Sequence, residues 1–193
     1  MSHRQIRSLK SRSRGDEGFT LAEVLVSMFV LTTGLLSLAG VFSLAMATTQ
    51  TSQLDLTAKQ MASETMESIF TARQTSAIPW SGIQNATAGG IFLAGFNPIY
   101  LAGADGLIGT ADDSAAGLRT VTLPGPDGIV GTSDDITMPL TNFQRKIDIT
   151  PVTDANGNVA TDLRSLTITI QYNVPQTTVK KNYILTSYIS QYR

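Results

Sequence analysis

Residues 18–26 read Gly-Phe-Thr-Leu-Ala-Glu-Val-Leu-Val, and they separate a basic segment from a long uncharged one. A single acid, Glu23, stands at the start of the uncharged run, and the next 24 residues, Val24–Ala47, carry no charge. A helix of that length rises about 1.5 Å per residue and would cross a hydrocarbon core of about 30 Å. An unpaired carboxylate is costly at the edge of a span. The stretch therefore predicts a membrane helix in which Glu23 has a partner.

At these residues the chain resembles the type IV prepilin family, whose signature is a basic leader ending in Gly, then Phe-Thr-Leu-x-Glu-Val-Leu-Val and an apolar helix. The resemblance implies cleavage between Gly18 and Phe19 by a prepilin peptidase and N-methylation of Phe19. It also implies that Glu23 meets the amino terminus of a neighbouring subunit as filaments grow. The continuation through residues 28–40 resembles the PilV-type minor pilins most closely. The similarity extends over residues 14–70.

The leader, residues 1–18, carries a net charge of +3, from five basic and two acidic residues: Arg4, Arg7, Lys10, Arg12, Arg14, Asp16 and Glu17. A basic start before a span predicts a cytoplasmic N-terminus and a head on the other side of the inner membrane, in the periplasm. A Sec signal peptide is a competing interpretation, because Ala45-Met46-Ala47 fits a small-x-small cleavage site. A plain membrane anchor is another. Neither explains an acid at the fixed position of Glu23.

Composition excludes several classes of function. The whole chain has a formal net charge of −1, so removal of the +3 leader leaves −4, which argues against non-specific nucleic-acid binding. There is no Cys, and the single His, His3, lies in the leader. No catalytic constellation and no phosphate-cradling loop is present. We therefore expect a protein that is not an enzyme and binds no nucleic acid.

The pattern beyond the span predicts an α+β head. In the amphipathic half, residues 48–76, apolar and small residues recur every three or four positions and predict one buried helix face: Leu54, Ala58, Met61, Ala62, Thr65, Ile69 and Ala72. Pro79 ends the helix. Residues 143–193 read as an antiparallel sheet of three strands, 143–150, 163–172 and 179–190, with a hairpin signal at Asn156-Gly157. A fourth strand at 118–123 would join them. The expected fold is pilin-like: a long N-terminal helix, whose half at 19–47 spans the membrane or fills a filament core, packed on this sheet.

The variable region, residues 77–142, contains an internal repeat. Residues 105–113, Asp-Gly-Leu-Ile-Gly-Thr-Ala-Asp-Asp, return at 127–135 as Asp-Gly-Ile-Val-Gly-Thr-Ser-Asp-Asp. Hard cations such as Ca²⁺ prefer several carboxylate and carbonyl oxygens, and Gly permits the sharp turns around them. One interpretation is therefore two calcium sites; the other is a pair of Asp-Gly turns with solvated acids. The candidate ligands are Asp105, Asp112 and Asp113 in one site and Asp127, Asp134 and Asp135 in the second.

The favoured function is a minor type IV pilin that enters, or primes, a pilus filament. Its implied partners are other pilin subunits, the prepilin peptidase and the inner-membrane assembly platform, and its final location is the filament or cell surface. A minor pseudopilin of a type II secretion system shares the leader, the acid and the helix, so it remains an alternative. A Sec-exported or anchored surface protein is the second alternative.

Overall fold

A computed structural model describes residues 18–174 and 178–192; the predicted leader, apart from Gly18, lies outside these residues. The chain divides into two compact units, residues 1–46 and 47–193. The helices are α1 (Leu21–Gln74) and the short α2 (Asp113–Ala116). The strands, in chain order, are β1 (Asn97–Pro98), β2 (Thr120–Leu123), β3 (Ile136–Pro139), β4 (Phe143–Thr153), β5 (Val159–Asn173) and β6 (Lys180–Ser190).

The described part of the first unit consists mainly of the N-terminal half of α1. All residues from 21 to 46 are exposed, including a run of large apolar side chains such as Leu31, Leu36 and Phe42. Within the described residues, α1 is the helix that is long and apolar enough to cross a membrane. Apolar side chains left bare over that length are stable in lipid or against other apolar helices, and not in water.

In the second unit, the C-terminal half of α1 packs on the sheet through one face. The buried residues on this face are Ala58, Met61, Ala62, Thr65, Met66, Ile69 and Ala72, and Leu54 is partly buried beside them. The predicted stripe is confirmed, with Met66 added. Small residues at 58, 62 and 72 let the helix backbone approach the sheet closely, and Met and Ile fill the space between them.

The sheet that receives this face is antiparallel, with strand order β1-β4-β5-β6. On β5, the alternating residues Leu166, Ile168, Ile170 and Tyr172 are almost fully buried, as the period of two predicted. The connection from β4 to β5 turns at Asn156-Gly157, where Gly157 has a φ of +86°. The predicted α+β architecture is confirmed, and its element order is the one that the resemblance to pilins implied.

One strand prediction was wrong. Residues 118–123 do not join the main sheet as its fourth strand; β2 pairs instead with β3 in a separate two-stranded hairpin. The fourth strand is β1, which pairs with the edge of β4 through Asn97 and Pro98. The physical reason is that β2 and β3 are consecutive strands, joined by the segment that contains the second Asp-Gly repeat. Pairing two consecutive strands closes a shorter loop, and therefore costs less chain entropy, than pairing β2 with a more distant strand.

Polar contacts anchor α1 to the other elements of the head. The Asp55 carboxylate accepts hydrogen bonds from the Tyr172 hydroxyl and from Lys181, whose Nζ lies 2.7 Å away. Glu64 forms an ion pair with Arg119. In the segment that follows the end of α1, the Trp80 ring centroid lies 4.2 Å from the Arg164 guanidinium, which also donates a hydrogen bond to the Trp80 carbonyl. These contacts fix the segment that leads from the helix to the repeats.

Candidate functional site

The first candidate site is the start of α1. The side-chain hydroxyl of Thr20 accepts a hydrogen bond from the Glu23 N–H at 3.3 Å, and the Glu23 carboxylate accepts the Thr20 N–H at 3.0 Å. This reciprocal pair is a capping box, in which each side chain satisfies a backbone donor that the first helical turn leaves free. The Glu23 carboxylate is therefore held at the backbone of Thr20, the residue after Phe19. Glu23 and Phe19 are both exposed.

The second candidate site comprises the two repeats. We call residues 103–113 the first turn and residues 125–135 the second turn, because the structural similarity begins two residues before the repeated Asp-Gly. The first Asp of each turn accepts a backbone N–H two residues later, at 2.8 Å in both. The last Asp of each accepts the N–H of the second repeated Gly at 2.6 Å. The backbone and its carboxylate partners therefore repeat along with the sequence.

A threonine hydroxyl completes each turn. Thr110 donates to Asp112 at 2.7 Å, and Thr132 donates to Asp134 at 2.5 Å. The same carboxylates also accept the backbone N–H of Asp105 and Asp127. The threonine hydrogen bond is the main reason that the pKa of Asp112 and that of Asp134 lie below the usual range for aspartate. Both carboxylates therefore stay ionised, with their hydrogen bonds intact, at neutral and mildly acidic pH.

Glycine is required at two kinds of position in the turns. Gly106 and Gly128 have φ values of +70° and +71°, in the left-handed region that other residues rarely adopt. Gly103 and Gly125 face a different constraint: a Cβ atom there would lie 2.3 Å from the Asp112 carboxylate oxygen or 2.4 Å from that of Asp134. The backbone geometry that the two turns share is thus explained by their glycines and aspartates together.

The surroundings of the two turns differ. The first turn packs into the head: Leu107 is 8 % exposed, and Asp113 is 1 % exposed beside the guanidinium of Arg145, which is 5 % exposed. The Arg145–Asp113 distance is 3.4 Å, and the same Asp113 carboxylate accepts the N–H groups of Gly103 and Gly109. Burial lowers the pKa of Arg145 to about 10, so the side chain still carries its charge at neutral pH. The second turn is exposed at the tip of the β2–β3 hairpin.

The structure brings one set of predicted metal ligands together. Asp105, Asp112 and Asp113 each offer a carboxylate oxygen, and these three oxygens lie within 4.8 Å of one another. In the described part of the chain, Asp127, Asp134 and Asp135 form no such group. The carboxylates of the first turn already accept hydrogen bonds from backbone N–H groups, from Thr110 and from Arg145. These donors offset part of the repulsion that a bound cation would otherwise have to neutralise.

Sequence reasoning missed three residues that matter here. Thr20 was missed although Thr-x-x-Glu before an apolar run is the sequence mark of a capping box. Arg145 was missed although it occupies an inward-facing position of β4, between the buried Phe143 and Ile147. Gly103, with its counterpart in the second turn, was missed because the repeat was read only from the first Asp. The signal was a capping motif for Thr20, strand periodicity for Arg145 and the internal repeat for Gly103.

Residues 13–39 match the family model described as the prokaryotic N-terminal methylation motif. No curated protein and no solved structure matches the chain. The match supports a type IV pilin-like or pseudopilin protein that is processed by a prepilin peptidase and assembles at the membrane with pilin subunits. It covers the leader and the first part of α1 and does not reach the head.

A buried ion pair leads to the first prediction. We expect Arg145→Met to lower the free energy of unfolding by about 3–5 kcal/mol, because the substitution leaves the buried Asp113 carboxylate without its cation. Chemical unfolding of the full chain in detergent measures this change. The neighbouring Lys146→Met is the matched control, since Lys146 pairs with Asp148 on the surface and should lose less than about 1 kcal/mol. Equal losses in the two variants would contradict the role given to Arg145.

Proposed function

We propose that this chain is a minor type IV pilin, which is cleaved after Gly18, methylated at Phe19, and incorporated into a pilus filament or used to prime its assembly. The match of residues 13–39 to the methylation motif is the observation that carries the proposal. The exposed apolar half of α1 supports it, because such a surface suits first a bilayer and then the helical core of a filament. The PilV-like sequence of residues 28–40 favours a minor subunit.

Glu23 is the residue to which we assign assembly. Its carboxylate opens a segment without charge, so in an apolar filament core it needs a cation. The amino group that cleavage would create on a neighbouring subunit supplies one. In the capping box the carboxylate already accepts uncharged N–H and O–H donors. A charged donor is a stronger partner in low dielectric, and this difference favours the intersubunit pair.

Two alternatives remain. A minor pseudopilin of a type II secretion system would have the same leader, acid and helix, and the neighbouring genes distinguish the two systems. A Sec-exported or membrane-anchored surface protein would begin at Thr48 or retain Met1. The mass of the mature N-terminus separates this class from both pilin-like ones.

Calcium binding by the first turn is a further part of the proposal. The three carboxylate oxygens within 4.8 Å of one another support it, since Ca²⁺ takes oxygen ligands at about 2.3–2.6 Å. Asp105 and Asp112 are accessible to an ion, whereas Asp113 is buried against Arg145. A second calcium site in the second turn, with Asp127, Asp134 and Asp135, stays a prediction, and the described residues do not group these three acids as they group those of the first turn.

Processing gives the second prediction. We expect the mature chain to begin at N-methylated Phe19, and Gly18→Arg to leave the precursor at full length in the membrane, because the substitution removes the Gly that ends the prepilin-like leader. N-terminal mass spectrometry of the membrane fraction measures both. A mature chain that begins at Thr48 would contradict the pilin-like assignment.

Glu23 gives the third prediction. We expect Glu23→Gln to be cleaved and inserted normally but to enter sheared filaments more than about tenfold less, because loss of one member of an ion pair leaves the other uncompensated. Gln at this position can still form a capping box, so the variant removes the charge and keeps the helix start. Thr20→Ala is the matched control, since it weakens the cap and keeps the charge. If Glu23→Gln enters filaments as well as the unmodified chain does, the charge of Glu23 has no role in assembly.

Calcium gives the fourth prediction. At an ion concentration 100 times its dissociation constant, binding would stabilise the full chain by about 2.7 kcal/mol and raise its melting temperature relative to the same protein in chelator. We expect the pair Asp105→Asn and Asp112→Asn to abolish this difference. The pair Asp127→Asn and Asp134→Asn makes the matched changes in the second turn and should preserve most of it. Identical melting of the unmodified chain with calcium and with chelator would assign both repeats to ordinary turns.

A further inference from the structure

The second turn repeats most of the internal hydrogen bonds of the first but lacks its tertiary contacts. Leu107 in the first turn is 8 % exposed, while its counterpart Ile129 is 61 % exposed, and the following Val130 is also exposed. In the first turn, the Asp113 carboxylate accepts both the Gly109 N–H and the Arg145 guanidinium. Its counterpart Asp135 accepts the equivalent Gly131 N–H, and among the described residues it forms no ion pair.

The second turn also has a hydrogen-bond acceptor that is not satisfied. The Oδ1 atom of Asp135 is buried and has no hydrogen-bond partner within the described part of the chain. The corresponding oxygen of Asp113 accepts the Gly103 N–H at 3.0 Å and the Thr110 hydroxyl at 3.3 Å. Buried polar atoms are normally paired, and both donors to Asp113 Oδ1 belong to the first turn, so the second turn lacks two internal hydrogen bonds of the first. The oxygen that corresponds to the arginine-binding one is Asp135 Oδ2.

The hairpin that carries the second turn adds further exposed apolar surface. Ile136 and Met138, on β3, are 55 % and 52 % exposed, and Val121, which pairs with Met138 across the hairpin, is 37 % exposed. A two-stranded hairpin is marginally stable by itself. Contiguous exposed apolar residues mark interaction sites, and Val121 and Met138 are neighbours across this hairpin.

Charge determines what kind of partner suits this surface. From residue 120 to residue 144 the chain contains three acids, Asp127, Asp134 and Asp135, and no Lys or Arg. An anionic lipid surface or a nucleic acid would be repelled, whereas a protein with basic side chains around an apolar depression is complementary. A second copy of this chain is a poor candidate, because the equivalent socket around Arg145 is already filled by the first turn.

We propose that the second turn docks on a different protein as the first turn docks on its own head, with Ile129 entering an apolar socket and Asp135 pairing with an arginine or lysine beside it. The exposed residues of the hairpin, Val121, Ile136 and Met138, extend the contact. The first turn thus serves as the template for the interface that the second turn forms. The interaction does not depend on cleavage at Gly18 or on filament assembly.

The test uses the full chain in its native membrane, with a photoreactive phenylalanine analogue at position 129. The same analogue at position 159 is the matched control, because Val159 is 57 % exposed and lies at the start of β5, outside the hairpin. After illumination, mass spectrometry identifies the cross-linked peptide. We expect a protein adduct at position 129 that exceeds the adduct at position 159 by at least about tenfold and maps to an apolar segment containing Arg or Lys.

Substitutions in the turn then test the charge pair. Asp135→Asn keeps an oxygen acceptor for the Gly131 N–H and removes the charge, so the adduct should fall by about tenfold, the change expected when a hydrogen bond to a charged group is lost. Asp127→Asn, an equal change of charge in the same turn, should leave it nearly intact. Equal adducts at positions 129 and 159, an adduct with lipid or with a second copy, or equal effects of Asp135→Asn and Asp127→Asn would each overturn the proposal.

Discussion

The contact on which the head depends is the burial of one face of α1, from Ala58 to Ala72, against the antiparallel sheet. The chain has no Cys, so no disulfide cross-links the helix to the strands of the head. Burial of an aliphatic side chain contributes about 1.5–3 kcal/mol, so residues such as Ile69, Leu166 and Ile168 together outweigh any single polar contact across this interface. The two halves of α1 therefore differ in role. The N-terminal half exposes apolar side chains that suit lipid or other helices, and one face of the C-terminal half is buried in the head.

Polar groups in the head are arranged so that burial costs little. Arg145 reaches into the core from β4, and its charge is compensated by Asp113 at the end of the first turn. Asp113 in turn accepts backbone N–H groups that would otherwise remain unpaired. The first turn is therefore attached to the sheet by an ion pair and by Leu107 at once. These two contacts attach the variable region to the core.

Periodic features of the fold were predictable from sequence, and pairings between distant segments were not. The alternation along β5 and the spacing of Ala58, Met61 and Ile69 each predict a buried face, because side-chain direction follows directly from backbone geometry. The partner of β2 was not predicted, because the turn between β2 and β3 was open to two interpretations, a metal site or an Asp-Gly turn. The ion pair of Arg145 joins positions 32 residues apart, which no local pattern specifies.

The residues of the candidate sites also divide into those that a local pattern predicts and those that depend on distant contacts. Gly18, Phe19 and Glu23 are read from a contiguous motif, so their assignment needs no knowledge of the fold. The proximity of Asp105 to Asp113 also follows from a local turn. The contrast between Leu107 and Ile129 is different in kind, because nothing within either nine-residue repeat distinguishes a buried copy from an exposed one. That difference arises only from what surrounds each turn.

The similarity of the two turns has a consequence for the evolution of such a head. Both copies share most of their carboxylate hydrogen bonds, one against a protein core and one in solvent, so the turn carries most of its geometry within its own residues. A segment of this kind can be duplicated and inserted into a surface loop without new contacts to define its shape, at only a small cost in loop-closure entropy. Each copy then acquires its neighbour from the surface on which it is placed, as the burial of Leu107 and the exposure of Ile129 illustrate. The variable region thus has a built-in route to new surfaces that leaves the helix and the sheet unchanged.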